Sequence, residues 1–86
     1  MNYAIEILRS ARKQLERIAS EHQERVLIAL EGLAETPRPE GCTKLTSRNA
    51  WRIRIGDYRV VYEIDDDLKN VVVVVIAHRR DAYRNQ

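Results

Sequence analysis

The feature that most constrains the fold is a β-hairpin predicted over residues 51–64. Apolar residues alternate with other residues on both sides of Gly56-Asp57, and glycine at the first position of a two-residue loop is typical of a type II′ turn. Such a short turn fixes the pairing, so Arg54 should lie opposite Arg59. Because side chains alternate across a strand, the hairpin has two unlike faces. The apolar face carries Trp51, Ile53, Ile55, Tyr58, Val60 and Tyr62, and the opposite face, called the arginine face below, carries Arg52, Arg54 and Arg59.

The arginine face is unusual because like charges directly opposite each other destabilise a sheet. The flat guanidinium fork matches a phosphate with two hydrogen bonds, and twelve of the fifteen basic residues in the chain are arginine. We therefore interpret this face as an open surface that binds an anion, in particular a phosphate. The alternative is a solvated face whose arginines pair with Glu63 or with the acidic run 65–67.

The rest of the chain predicts helices before the hairpin and a further strand after it. A short strand over Tyr3–Leu8 precedes two helices, with Ser10 and Ser20 as their expected caps. The breaker run 36–41 is interpreted as a loop within one domain, residues 1–86. The fold class is therefore α+β, with two N-terminal helices packed on one face of a mostly antiparallel four- to five-stranded sheet. The second helix should bury the stripe Val26, Leu27, Leu30, Leu33 and Ala34.

The last predicted strand, VVVVVI, is apolar at every position and should be a central strand covered on both sides. We expect Ile64 to pair with Val71. Counting from that pair places Ile76 opposite Arg59 and puts His78 on the arginine face, whereas a shift of one residue would reverse the face. The residues bordering the arginine face would then be Val72, Val74 and Ile76. This row is either a docking strip for a partner protein or a surface that the chain itself covers.

Several kinds of site are excluded by the composition. Cys42 is the only cysteine, so the chain has no internal disulfide and no cysteine-based zinc site, as is typical of a cytoplasmic protein. There is no signal peptide, and the apolar run 71–77 is too short to cross a membrane. The sequence also lacks a glycine-rich phosphate loop, a histidine pair at metal spacing, and a nucleophilic Ser or Cys with a partner. We expect no metal and no cofactor, so any hydrolysis would depend on the substrate's own nucleophile.

The C-terminal segment contains groups that can transfer a proton. Imidazole titrates near neutral pH, which makes His78 a candidate. A phenol can act in the same way where cations lower its pKa, and Tyr83 follows Arg79 and Arg80 closely. The alternative interpretation is a charged terminus in which Tyr83 only packs.

Three blocks of the sequence carry a family resemblance: Lys44-Leu45, residues 51–62 and residues 76–83. Together they resemble the RelE/ParE superfamily of bacterial toxins, most closely its RelE branch, and the resemblance covers essentially the whole chain. It implies a RelE-like fold and a ribosome-dependent mRNA endonuclease (an mRNA interferase) that cuts codons in the A site and inhibits translation. In such toxins the ribose 2′-hydroxyl attacks the adjacent phosphate without a metal. ParE-like relatives poison DNA gyrase instead, and an inactive binding module is a third interpretation.

The resemblance also implies partners and residue roles. A cognate RelB-like antitoxin would silence the toxin, the ribosome and mRNA would be its targets, and operator DNA would be bound only through the antitoxin complex. Arg52 and Arg54 match basic positions beside the scissile phosphate, and Arg59 matches the arginine of a Tyr-Arg pair. Tyr83 would lie near the attacking hydroxyl, and one residue of the tail would be the last basic catalytic group. The predicted catalytic set is Arg52, Arg54, Arg59, His78, Arg79 and Tyr83, and the predicted RNA contacts are Lys44, Arg48 and Arg80.

Overall fold

The computed structural model describes residues 2–46 and 49–78. The helices in these ranges are α1 (Arg9–Glu16) and α2 (Ser20–Glu35), and the strands are β1 (Ala4–Ile7), β2 (Thr43–Lys44), β3 (Trp51–Ile55), β4 (Tyr58–Asp65) and β5 (Asn70–His78). The sheet has the order β1-β5-β4-β3-β2, with β1 parallel to β5 and every other neighbouring pair antiparallel. The α+β class is therefore confirmed. Neither described helix is long and apolar enough to cross a membrane.

The hairpin of β3 and β4 has the predicted register. Arg54 lies opposite Arg59, and Trp51 lies opposite Tyr62. Gly56 has a φ of 60°, whereas the φ of the next residue is not positive. This is the pattern of a type II′ turn, in which only the first central residue needs a positive φ. The two faces of the hairpin therefore follow directly from the local sequence.

The core lies between the two helices and the apolar face of the sheet. Val26, Leu30 and Leu33 of α2 are almost fully buried, and residues of α1 pack beside them. Leu27 was predicted to be part of this stripe, but 40% of it is exposed. A helix has 3.6 residues per turn, so Leu27 lies beside the stripe rather than on it. The sheet contributes the fully buried residues Val60, Tyr62, Val71, Val73 and Ile76.

The helix starts differ from the prediction. α1 begins one residue before Ser10, and α2 begins at Ser20 itself, so neither serine occupies a cap position. Within the described ranges, neither helix start has a side-chain cap hydrogen bond. Gln23 instead donates from Nε2 to the carbonyl oxygen of Leu15 at 2.8 Å. This bond ties the first turn of α2 to the end of α1, where helix carbonyls lack intrahelical partners.

One β-bulge in β5 shifts its predicted pairing with β4. Ile64 pairs with Val71 as predicted, but the register changes between Val61 and Tyr62, and Val74 is the extra residue of β5. A bulge places two residues of one strand opposite one residue of its partner. Every β5 residue after Val74 is therefore displaced by one position relative to the prediction.

The displacement moves His78 to the other side of the sheet. Ala77, rather than Ile76, lies opposite Arg59, and His78 lies opposite Tyr58. Residues directly opposite each other in a sheet share a face. His78 therefore lies on the helix side with Tyr58, and the prediction that it shares the arginine face is wrong.

The predicted apolar row beside the arginine face is right at Val72 and wrong from the bulge onward, for the same reason. Ile76 pairs with Val60 and is fully buried in the core. Val75 takes the place next to the arginine face and is 39% exposed. The β5 residues on that side of the sheet are Val72, Val75 and Ala77.

Candidate functional site

The three arginines of the arginine face lie together on the side of the sheet away from the helices. Arg54 of β3 and Arg59 of β4 are directly opposite each other, and Arg52 follows on the same side of β3. Arg54 is exposed, Arg52 is half-buried, and Arg59 is only 7% exposed. The expectation of an open surface is therefore right for Arg54 and wrong for Arg59. Because β4 lies between β3 and β5, the aliphatic stem of Arg59 has a strand on either side.

The carboxylate of Asp66 binds Arg38 rather than the arginine face. The Arg38 guanidinium donates from Nη1 to Oδ1 at 3.2 Å and from Nη2 to Oδ2 at 2.9 Å, and the Tyr3 hydroxyl donates to Oδ1 at 2.7 Å. The Arg38 hydrogen bonds, followed by that from Tyr3, lower the pKa of Asp66 to about 2. The hydrogen bond from Tyr3 to Asp66 also raises the pKa of the Tyr3 hydroxyl. Across residues 2–46 and 49–78 neither Arg52 nor Arg54 forms a salt bridge, so pairing with the acidic run is wrong for these two arginines.

The loop over residues 36–41 is fixed against the start of β3. The Arg38 guanidinium carbon lies 5.0 Å from the ring centroid of Trp51, within the range of a cation–π contact. Tyr62 donates its hydroxyl to the carbonyl oxygen of Pro37 at 2.7 Å, and burial raises the pKa of this tyrosine. Since Trp51 immediately precedes Arg52, these contacts also fix the base of the arginine face.

The other predicted site residues do not join the arginine face in the described chain. His78 lies on the helix side, as the bulge requires. Lys44 is exposed at the edge strand β2, where it pairs with Trp51 and so shares the side of the apolar face. In the described ranges no group of three or more His, Cys, Asp or Glu side chains could hold a metal ion. Four predicted residues lie outside the described residues: Arg48, Arg79, Arg80 and Tyr83.

The sequence did not single out a second group of side chains, which surrounds Tyr58 on the helix side. The ring centroid of His22 lies 5.9 Å from that of Tyr58, and the ring of His78 meets Tyr58 edge-on at 5.4 Å. Arg25 lies over the β3–β4 turn, where a β-carbon added to Gly56 would be 3.6 Å from its Nη1. The one sequence signal for this group is the spacing of His22 and Arg25, because residues three apart share one side of a helix.

Two helices packed on a mostly antiparallel five-stranded sheet are the fold of the small toxins of the RelE/ParE type. The family model described as "ParE toxin of type II toxin-antitoxin system, parDE" matches residues 5–83. The chain therefore belongs to this family within the RelE/ParE superfamily, and it is the toxin of a type II toxin–antitoxin system. No curated protein matches the chain.

Solved structures of RelE toxins with their antitoxins have the same fold. The toxin of the archaeal RelE–RelB complex from Pyrococcus horikoshii OT3 is 27% identical with a TM-score of 0.83, and the match covers 92% of this chain and 97% of that chain. The toxin of the RelBE2 complex from Mycobacterium tuberculosis is 26% identical with a TM-score of 0.81, and the match covers 92% of this chain and 100% of that chain. The toxin of the intact RelBE complex from E. coli is 25% identical with a TM-score of 0.78, and the match covers 88% of this chain and 95% of that chain.

Proposed function

We propose that this toxin is a ribosome-dependent mRNA endonuclease that cleaves codons in the ribosomal A site and thereby inhibits translation. The observation that carries the proposal is the arginine face, in which Arg54 lies directly opposite Arg59 with Arg52 on the same side. Opposed like charges cost a sheet stability, whereas a phosphodiester between them would be bound by both. The similarity to RelE toxins, together with the resemblance in the hairpin, supports the same activity.

The proposed reaction uses the nucleophile of the RNA itself. The ribose 2′-oxygen bonds to the adjacent phosphorus and the bond from phosphorus to the 5′-oxygen of the next nucleotide breaks, which yields a 2′,3′-cyclic phosphate and a 5′-hydroxyl. One proton leaves the 2′-hydroxyl, and one joins the departing 5′-oxygen. Negative charge develops on the five-coordinate phosphate, and fixed groups that stabilise such charge are usually the largest catalytic contribution. RNA is required because DNA lacks the 2′-hydroxyl.

Each arginine has a separate part in this reaction. Arg59 is 7% exposed, so its charge acts in a medium of lower dielectric than water and is positioned before the substrate arrives. Arg54 is exposed and stands opposite it, so its guanidinium can approach the same phosphate from the solvent side. Arg52 lies two residues along β3 on the same side, where it would contact the RNA backbone next to the scissile bond.

Proton transfer needs a group other than these arginines, because a guanidinium stays protonated. We assign the proton transfer to Tyr83, with Arg79 as a further cation, as the family resemblance implies. His78 is not included, since it lies on the helix side with Tyr58. Three basic residues are proposed to contact the RNA away from the scissile bond: Lys44, Arg48 and Arg80.

The proposed partners follow from the same class of toxin. The similar toxins from P. horikoshii, M. tuberculosis and E. coli were solved in complex with their antitoxins. We infer that a cognate RelB-like antitoxin binds and silences this chain, and that operator DNA is bound only by the toxin–antitoxin complex. The site of action would be the cytoplasm, where translating ribosomes and mRNA are found.

The test of the proposed function is to add the toxin to a bacterial translating extract and to map the ends of the mRNA. We expect cuts inside codons that depend on ribosomes, and Arg59→Gln should abolish them while antitoxin binding remains intact. Lys69→Asn is the matched control, because it removes one positive charge at a turn residue with a φ of 54°, which asparagine tolerates. Wild-type cleavage by Arg59→Gln would refute the catalytic role of the arginine face.

Poisoning of DNA gyrase is the second candidate function. The observation that favours it is the family model itself, which is described by the ParE toxin. A gyrase poison would need no group of arginines at a scissile RNA phosphate. Inhibition of supercoiling by the purified toxin, together with unbroken mRNA in the extract, would replace the endonuclease with this function.

A further inference from the structure

Tyr58 separates two clefts on the helix side of the sheet, near the β3–β4 turn. The first has a volume of about 210 Å³ and lies between this turn and α2, with His22 and Arg25 in its wall. The second has a volume of about 250 Å³ and lies toward α1, with Arg17 in its wall. Tyr58 and His78 line both clefts. A single water needs about 10–15 Å³ of such space, so each cleft has room for a larger group.

The rings around Tyr58 are arranged so that a flat group can stack beside them. His22 lies 5.9 Å from Tyr58 with the two ring planes at 46°. His78 contacts Tyr58 from the neighbouring strand β5, edge-on, with 5.4 Å between the ring centroids and 87° between the ring planes. His22 is exposed and Tyr58 is half-buried, so a ligand can reach both rings from solvent. Unpaired nucleobases stack on rings of this kind, with little dependence on their sequence.

Positive charge surrounds the rings. Arg25 and Arg17 are exposed, one at each cleft, and the guanidinium of Arg25 lies over the turn at Gly56. Neither arginine forms a salt bridge within the described part of the chain. Helix α1, which ends just before Arg17, carries three further exposed cations: Arg9, Arg12 and Lys13. A line of cations along a helix is the electrostatic pattern of nucleic-acid binding.

Two carboxylates face this group and limit where a phosphate can lie. Asp57 lines the first cleft, and Glu21 lies 3.9 Å from Nε2 of His22. A phosphate is repelled by Asp57 and is favoured on the Arg25 and Arg17 sides of the rings. The amino or imino hydrogens of a base, in contrast, can be accepted by a carboxylate oxygen.

We propose that the two clefts form a second RNA-binding site, which takes one base of a single-stranded RNA beside Tyr58 and His22 and holds the flanking phosphates on Arg25 and Arg17. This site lies on the opposite side of the sheet from the arginine face, because Tyr58 and Arg59 are consecutive residues of one strand. The choice of RNA rests on the proposed function, but binding here requires neither a ribosome nor cleavage.

The test is the binding of a fluorescent 2′-O-methyl decauridine to the full chain, followed by fluorescence anisotropy without ribosomes. The 2′-O-methyl groups remove the nucleophile, so the probe stays intact even with an active enzyme. Arg25→Gln should weaken binding about tenfold and reduce the slope of log affinity against log salt by about 0.7, the value for one lost phosphate contact on a single strand. His22→Ala should weaken binding about fivefold or more through lost stacking.

Charge-matched controls separate this site from general electrostatic attraction. Lys69→Asn removes a positive charge at the β4–β5 turn and should bind the probe like the wild type. Arg54→Gln removes a charge from the arginine face, which itself binds RNA in the proposed function, so it is used as a background: Arg25→Gln should weaken binding by the same factor with and without Arg54→Gln. Asp57→Asn should bind more tightly, because it removes repulsion of the phosphates. His22 and Arg25 are exposed, so their substitution should leave the fold intact. Equal urea midpoints for the variants and the wild type would establish this.

Four results would overturn the proposal. Wild-type affinity in both Arg25→Gln and His22→Ala would remove the site. An equal loss in Lys69→Asn would assign the binding to overall charge, and disappearance of the Arg25→Gln effect in the Arg54→Gln background would assign it to the arginine face. Displacement of the probe by deca-glutamate, with no effect of His22→Ala, would identify an acidic protein segment as the ligand instead of RNA. Failure of the proposed endonuclease has a different signature, since the probe would still bind while mRNA in the extract stayed intact.

Discussion

The opposed pair of Arg54 and Arg59 should make the toxin less stable than it would be without one of these charges. Like charges directly opposite in a sheet cost about 0.2–1 kcal/mol. Burial of Arg59 to 7% exposure strengthens the repulsion, whereas water around the exposed Arg54 weakens it. We therefore expect Arg54→Gln to raise the free energy of unfolding by about 0.5 kcal/mol. In a domain of this size 1 kcal/mol corresponds to a shift of about 4–8 °C in Tm, so the expected gain is about 2–4 °C.

Arg52→Gln is the matched comparison for this prediction. Arg52 lies on the same face and the same strand, but its partner across the sheet is Val61, so its removal should bring no gain. Urea unfolding can be followed by the fluorescence of Trp51, the single tryptophan. At 1 M salt, where the Debye length is about 3 Å, the gain from Arg54→Gln should become small. The gain should also be lost in an Arg59→Met background, since the repelling partner is then absent.

Stability and activity should move in opposite directions in this variant. Arg54→Gln should lower the rate of ribosome-dependent cleavage about 10²–10³-fold, the usual loss for one group that stabilises transition-state charge. A variant that is less stable than the wild type would refute the argument, as would an equal gain in Arg52→Gln or a gain that persists with Arg59→Met. The arginine face would then be an ordinary surface with no unfavourable interaction for a ligand to relieve.

Three further predictions concern the fold. The pKa of Asp66, about 2, lies below the value near 3.9 of an unfolded aspartate. The contribution of Asp66 to stability is therefore present above about pH 4 and is lost as the pH falls toward 2. The urea midpoint of Asp66→Asn should lack this acid dependence. Leu33→Ala should lower the free energy of unfolding by about 2–5 kcal/mol because Leu33 is 1% exposed, and Leu27→Ala, at 40% exposure, should cost clearly less in the same urea assay. Gly56→Ala should lower the free energy of unfolding by about 1–3 kcal/mol, because the φ of 60° at this position strains an L-residue. The added carbon would meet Arg25 at an ordinary contact distance, so the backbone alone should cause the loss. An unchanged urea midpoint would contradict the turn geometry.

The hairpin could be predicted because short-range geometry determines it. A two-residue turn at Gly56-Asp57 leaves β3 and β4 one register, so the composition of the arginine face follows from a single stretch of sequence. The helices could be predicted as elements from their apolar spacing. Their first residues could not, because Ser10 and Ser20 are good cap residues in isolation, and the structure uses backbone and Gln23 contacts at the helix junction instead.

The bulge in β5 could not be predicted because residues 71–75 are all valine. A shift of one position in this run replaces each side chain with an identical one, so neither the hydrophobic pattern nor pair preferences mark the extra residue. The error becomes visible only at His78, whose face depends on every residue between it and the preceding turn.

The candidate site was predictable only in its local part. Alternation along two strands places three arginines on one face, but the burial of Arg59 depends on the strands beside β4, which the hairpin sequence does not reveal. The group around Tyr58 depends on tertiary packing, because His22 reaches that ring only when α2 folds back over the sheet. A helix residue and a strand residue that are distant in the chain share no local pattern.

The bulge decides on which side of the sheet His78 lies. Five valines paired without a bulge would place this imidazole on the arginine face, whereas the bulge leaves Val74 outside the pairing and keeps His78 on the helix side. A strand with one valine fewer and no bulge would pair in the same way from Val75 onward and would also direct its histidine toward the helices. A relative that lacks one residue in this strand would therefore present the histidine on the same side of the molecule, and only an insertion or deletion that no bulge absorbs would move it to the other side.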